Sequence, residues 1–132
     1  MELRFEFDPV NKILLARPEG QVTDESLAEI YDAIRKRSTA TDARAGIFDL
    51  SCVTEFAVTA EFIRHLASQE PAMPEATSRP RIIAVLSPSG FGLARMFQTL
   101  GAATRPLLEV VHTMDEALAG LGIHSAQFEP LE

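Results

Sequence analysis

Cysteine is almost missing from this chain, and the single thiol, Cys52, excludes an internal disulfide framework and fits a reducing compartment. Long apolar runs are missing as well. The longest charge-free stretch, Ile82 to Ala94, contains Pro88 and Gly90 and falls well short of the roughly 18 residues that a membrane-spanning helix needs. Basic residues are outnumbered, 12 against 19 acidic ones, for a formal charge of −7, and phosphate binding needs a concentrated basic face. Nucleic acid is therefore not the expected partner. The three histidines, His65, His112 and His124, are scattered, with no second His or Cys at metal-ligand spacing, so neither a metal nor a cofactor is expected. The first residues, Met1-Glu2-Leu3-Arg4-Phe5-Glu6, carry acids where a secretory signal carries bases, which leads to an expectation of no export and a cytoplasmic location. What is present is 46% hydrophobic residue content in 132 residues, enough for one domain, 1–132, that buries about two-thirds of its unfolded surface.

The apolar pattern changes period along the chain. Leu3, Phe5 and Phe7 alternate with Arg4 and Glu6, the signature of a strand with one buried face, and Asp8 to Lys12 supplies a turn into a second strand, Ile13 to Ala16. Thr23 is placed to cap a helix with Asp24 and Glu25 in its first turn and Leu27, Ile30, Tyr31 and Ile34 on one face. That helix is expected to end near Arg37, with Arg35, Lys36 and Arg37 at the negative end of its dipole. Ala45 to Phe48 reads as a doubly buried, central, parallel strand ending at Asp49-Leu50-Ser51. A second helix starts near Thr59, with Phe62, Ile63, Leu66 and Ala67 inward. Glu70 to Pro80, with three prolines, reads as a flexible connection. Ile82 to Leu86 is the next buried strand, followed by the loop Ser87 to Gly92 and a third helix. Leu107 to Val111 is the last strand, and Thr113 with Glu116 forms a capping box for a final helix ended by Gly122. The predicted order is β-β-α-β-α-β-α-β-α, an α/β fold with a mostly parallel sheet, an antiparallel N-terminal edge strand and helices packed on the sheet.

Three stretches, Phe48-Asp49-Leu50-Ser51-Cys52-Val53-Thr54 leading to the helix at Thr59, the final strand with Thr113 to Leu118, and the order of elements, resemble the STAS domain. This is the SpoIIAA-like fold of anti-sigma-factor antagonists, and the likeness is closest to its divergent branch of small bacterial proteins. The resemblance covers nearly the whole chain and implies a non-enzymatic regulatory module with a protein partner. Members of the family carry Asp-Ser-Ser-Gly at the start of the second helix, where the first serine is phosphorylated by a partner kinase. Here the segment is Ala57-Val58-Thr59-Ala60, so the acceptor position is Val58, which has no hydroxyl. Thr59 is more simply a helix cap. The resemblance therefore implies a regulator without the phospho-switch.

The remaining chemistry-bearing residues point to one rim. Ser87, Ser89, Gly90 and Gly92 form a turn that can bring backbone N–H groups together at a helix N-terminus, with Arg95 one turn on to contact an anion and Ser51 ending the neighbouring strand. A tight strand-to-helix turn with Arg95 on a solvated face accounts for the same residues. Phe56 and Phe91, read as loop aromatics, are candidates to line a crevice for a lipid-like or other small apolar or anionic ligand. Ser51, Phe56, Thr59, Ser87, Ser89, Gly90, Phe91, Gly92 and Arg95 are thus the expected binding residues, for a protein partner first and a small-ligand carrier or sensor as the alternative. Asp49 lacks the acidic and lysine companions of a phospho-receiver site and is expected to accept hydrogen bonds from nearby amides. Cys52 is expected to be a small buried filler. No catalytic set stands out, and an exposed apolar patch on the edge strand or beside Phe91 would favour a homodimer.

Overall fold

The computed structural model describes residues 2–72 and 79–131. In chain order the elements are β1 (Glu2–Asp8), β2 (Ile13–Thr23), α1 (Asp24–Thr41), β3 (Ala45–Asp49), β4 (Val53–Ala57), α2 (Ala60–Ser68), β5 (Arg81–Ala84), α3 (Pro88–Leu100), β6 (Leu108–Val111), α4 (Met114–Gly120) and β7 (Glu129–Pro130). The sheet runs β6-β5-β3-β2-β1-β7, with β4 paired to β2 off this path. β2, β3, β5 and β6 are parallel, and β1 joins antiparallel. The mixed α/β architecture expected from the apolar periodicity is the one found. Most of the stretch read as a flexible connection, Glu70 to Pro80, lies outside the described residues.

Alternation sorts the strands onto two cores. Ile13, Leu15, Ala45, Ile47 and Ile82 meet Ala117, Met114 and Leu118 of α4 on one face. On the other, Leu14 and Ala16 meet Ala33 and Ile34 of α1, while Ile83, Val85 and Leu108 meet Ala94 and Phe97 of α3. α2 packs on α3.

Four local expectations are corrected. α1 continues to Thr41, so its last turn contains no base, and Arg35, Lys36 and Arg37 do not sit at the dipole's negative end. Nothing between Arg37 and Thr41 breaks a helix, and the Thr39 and Thr41 hydroxyls donate back to the carbonyls of Arg35 and Arg37. β2 runs well past Ala16, bending at Gly20, which has φ +85° and lies where β2 changes partner from β3 to β4. Pro18 falls in the gap between the two paired stretches, where a missing N–H breaks no parallel ladder. The loop from Ser87 to Gly92 is mostly helix, because Ser87 caps α3 and Pro88 opens it. Finally, Cys52 is exposed, since the turn from β3 into β4 carries it outward.

The β1–β2 turn depends on a buried carboxylate. Asp8 is 1% exposed and accepts hydrogen bonds from the Val10 and Asn11 amides, from Asn11 Nδ2 and from the Gln127 amide near the C-terminus. Burial alone would push its carboxyl up, but the bonds from Asn11, Val10 and Gln127 together outweigh it and hold Asp8 below the ordinary carboxylate value. A depressed folded-state pKa gives stability that is present above the unfolded value, about 3.9, and lost as pH falls through the folded one. Urea unfolding followed between pH 7 and pH 3 should therefore show a loss of stability below about pH 4 that Asp8→Asn reduces.

Candidate functional site

Parallel pairing decides which loops meet. β3 and β5 lie side by side with Asp49 opposite Ala84, so Ser51 after one strand and Ser87 to Gly92 after the other share a rim. β4 ends beside the end of β2, with Ala57 opposite Thr23, and this brings the start of α2 to the same side. Ser51, the Ser87 to Gly92 segment and the start of α2, from separate parts of the chain, thus lie on one side of the sheet.

Asp49 anchors the rim from beneath. It is 1% exposed, accepts the Ser51 amide at 3.0 Å on one oxygen, and pairs with Arg17 Nε at 2.9 Å on the other. Arg17 also reaches Glu6 at 3.3 Å. Burial would lower the Arg17 pKa, but the hydrogen bond and charge of Asp49, then the charge of Glu6, carry it above its usual value. Ser51 and Cys52 stand exposed on this support, with Cys52 Sγ at 4.0 Å from Ser51 Oγ.

Thr59 is a fully committed cap. Its hydroxyl accepts the Phe62 amide at 3.1 Å and donates to Asp24 Oδ2 at 2.9 Å, while its own amide donates to Asp24 Oδ1. The first residue of α1 thereby clamps the start of α2. Ser87 is similarly used: its hydroxyl accepts the Gly90 amide at 3.1 Å and its carbonyl accepts the Phe91 amide at 2.9 Å. Two of the amides that an anion would need are spent inside the helix.

Gly90 has a packing reason to be glycine. It is buried, and a Cβ there would lie 2.6 Å from the Phe56 ring and 2.7 Å from Val85 Cγ2. Ser89, Gly92 and Arg95 are exposed along α3. Phe56 and Phe91, read as loop residues, belong to β4 and α3, and both pack against the core of Ile83 and Val85. Phe91 is half-buried and stacks on His112 with ring centroids 4.3 Å apart and planes 16° from parallel. Among the described residues Asp49, Cys52 and His112 make no hydrogen bond to one another.

A second feature escaped the sequence. A cavity of about 160 Å³ lies between the sheet and the helices α1, α2 and α3. Its walls are apolar, with Phe48, Ile63, Leu66 and Ile83 among them, and of the expected binding residues only Phe56 and Gly90 border it. Those two sit towards the rim. At the opposite end, where β5 begins and α1 finishes, the cavity meets Ser38, Arg81 and Arg105. Arg105 is 3% exposed and donates to the carbonyls of Leu66, Ala67 and Gln69 and to the Tyr31 hydroxyl. Arg81 differs: its Nε and Nη2 are buried without a partner, as is Ser38 Oγ. Burial, then the charge of Arg105, lowers the Arg81 pKa to about 10, so it remains a cation at neutral pH. An arginine opening an apolar strand reads as a solvated end, and no local pattern marks its nitrogens as buried.

No family model matches the sequence, and a search of curated proteins finds no match. Solved structures do match. The anti-sigma factor antagonist SpoIIAA in its unphosphorylated form is similar with a TM-score of 0.58 and 13% identity, over 92% of this chain and 98% of that one. The phosphorylated form of SpoIIAA, described as a Bacillus cell fate determinant, is similar with a TM-score of 0.53 and 17% identity, over 91% and 99% of the two chains. The chain has a STAS-like fold.

Proposed function

We propose that this chain is a non-enzymatic regulatory module that works by binding a protein partner at the rim formed by Ser51, Thr59, Ser89, Phe91 and Arg95. The observation that carries the reading is the extent of the shared fold, which spans nearly all of this chain and of an anti-sigma factor antagonist rather than a fragment of either. The rim fits that role, because it brings exposed Ser51, Thr59, Ser89 and Arg95 together on loops and helix starts held by buried Asp49 and by the Asp24 clamp. A cytoplasmic site of action goes with this reading; no helix among the described residues is long and apolar enough to cross a membrane.

Regulation here does not use phosphate on α2. Val58 has no hydroxyl, and phosphate on Thr59 would break its cap and set a second negative charge against Asp24. Partner capture from host extract, followed by titration of the recovered protein, tests both points. Ser51→Arg and Arg95→Glu should each weaken the complex about tenfold, as mutations of contact-centre residues do, while Lys36→Glu on the exposed side of α1 leaves it intact. Equal binding by all three variants would remove the rim assignment. Mass spectrometry of protein incubated with extract and ATP should find Thr59 unmodified.

A further inference from the structure

We propose that the cavity beneath α2 binds a single-chain carboxylic acid, with the acyl chain on the sheet face and the carboxylate on Arg81 and Ser38. This site is independent of the partner-binding rim.

The head end carries the argument. Nε and Nη2 share one edge of the guanidinium plane and present two roughly parallel N–H donors, the fork that a carboxylate takes with both oxygens. They are the two Arg81 nitrogens left buried and unpartnered. Folded proteins satisfy nearly all buried polar atoms, so two unpartnered donors on a residue that borders a cavity mark a place for an acceptor. Ser38 supplies the second observation. It is 1% exposed and borders the same cavity, yet its hydroxyl has no partner, whereas Thr39 and Thr41 on the same helix donate to carbonyls four residues back. No carboxylate among the described residues pairs with Arg81 or with neighbouring Arg105. That end of the cavity carries two cations, of which Arg105 is held by the carbonyls at the end of α2 and Arg81 has no carboxylate partner among the described residues.

The body of the cavity selects the rest of the molecule. Gly46, opposite Arg81, puts no side chain on the floor beside the fork, and the floor continues through Phe48 to Leu50. Four residues of strand span about 13 Å at a rise of about 3.3 Å each, room for a medium-length acyl chain laid along the sheet. Apolar walls give a sugar or a nucleotide nothing to bond. The 160 Å³ volume is close to that of an engineered apolar cavity, about 150 Å³, that holds benzene. A two-chain phospholipid does not fit.

Calorimetric titration of the full chain with octanoate, octanol and octyl phosphate, together with native mass spectrometry, tests the assignment. Saturable one-to-one octanoate binding is expected, with octanol at least about tenfold weaker because it cannot occupy the fork. Arg81→Met should weaken octanoate by about tenfold or more and, by removing two buried donors without acceptors, raise the melting temperature of the ligand-free protein. Ser38→Ala, a small change on a helix, should weaken octanoate without altering the fold. It keeps the test decisive if Arg81→Met fails to fold. No octanoate binding at millimolar concentration, octanol binding as tightly as octanoate, or full affinity in Ser38→Ala and Arg81→Met would each overturn the proposal. Preference for octyl phosphate would overturn the carboxylate as the head group.

Discussion

Arg105→Met should lower the free energy of unfolding by about 3–5 kcal/mol, among the largest losses available to a single substitution in this chain. The loss follows from acceptors left without a donor rather than from a broken ion pair. Arg105 approaches the C-terminal end of α2, where helix carbonyls are unpaired and the dipole is negative, and its guanidinium donates to Leu66, Ala67 and Gln69 at once. It donates further to the Tyr31 hydroxyl at 3.0 Å and lies 4.8 Å from the centre of the Phe97 ring. One side chain thereby ties α2 to α1 and α3. The Leu66 carbonyl keeps the Gln69 amide, but those of Ala67 and Gln69 lose their donor; a buried acceptor stripped of its partner costs about 1–3 kcal/mol, so two of them, with the lost packing on Phe97, leave a loss of that order. Arg105→Lys should lose less, since an ammonium keeps the charge but cannot match the fork. Urea midpoints for both variants check the magnitudes, and hydrogen exchange should show the loss of protection concentrated in the last turn of α2.

Legibility in the sequence tracked periodicity. Strands with both faces buried and helices with a capping residue stood out, because burial forces composition there: Ile82 to Val85 has no alternative to apolar side chains, and Thr23, Thr59 and Thr113 all cap as their spacing implies. β4 did not stand out. Val53 to Ala57 has no buried residue, and its strand character comes from pairing with the second half of β2, a partner that sequence spacing does not reveal. β7 is two residues, one of them proline. The rim was legible because parallel strands collect their C-terminal loops on one side whatever those loops contain. The cavity was not, since it comes from what α1, α2 and α3 fail to fill. Its polar end is built from Ser38, Arg81 and Arg105, residue types that are ordinarily solvated, and only tertiary packing buries Ser38, Arg105 and part of Arg81. Gly90 carries a packing requirement that the sequence did not show, since Phe56 and Val85 leave no room for a Cβ there.

Arg17→Met should cost about 3–5 kcal/mol by leaving Asp49 in place without its cation. Of the pair, Asp49 is the buried member, so the penalty is asymmetric: Arg17 is 23% exposed and retains Glu6, whereas among the described residues Asp49 retains the Ser51 amide alone. Asp49→Asn is accordingly expected to cost less than Arg17→Met, since the amide oxygen can still accept from Ser51 and the stranded guanidinium keeps a carboxylate beside water. Replacing both residues with apolar ones of similar size should recover much of the loss, because the desolvation cost of the charges disappears with them. A double-mutant cycle measured by urea unfolding would then give a coupling energy of about 3 kcal/mol. A coupling near zero would mean that the pair is held by the fold rather than holding it. The consequence reaches the rim, since the Asp49 to Ser51 bond shapes the turn that presents Ser51 and Cys52. Arg17→Met should therefore weaken partner binding although Arg17 itself lies beneath the surface, whereas Asp8→Asn at the other end of the sheet should reduce stability and leave binding unchanged.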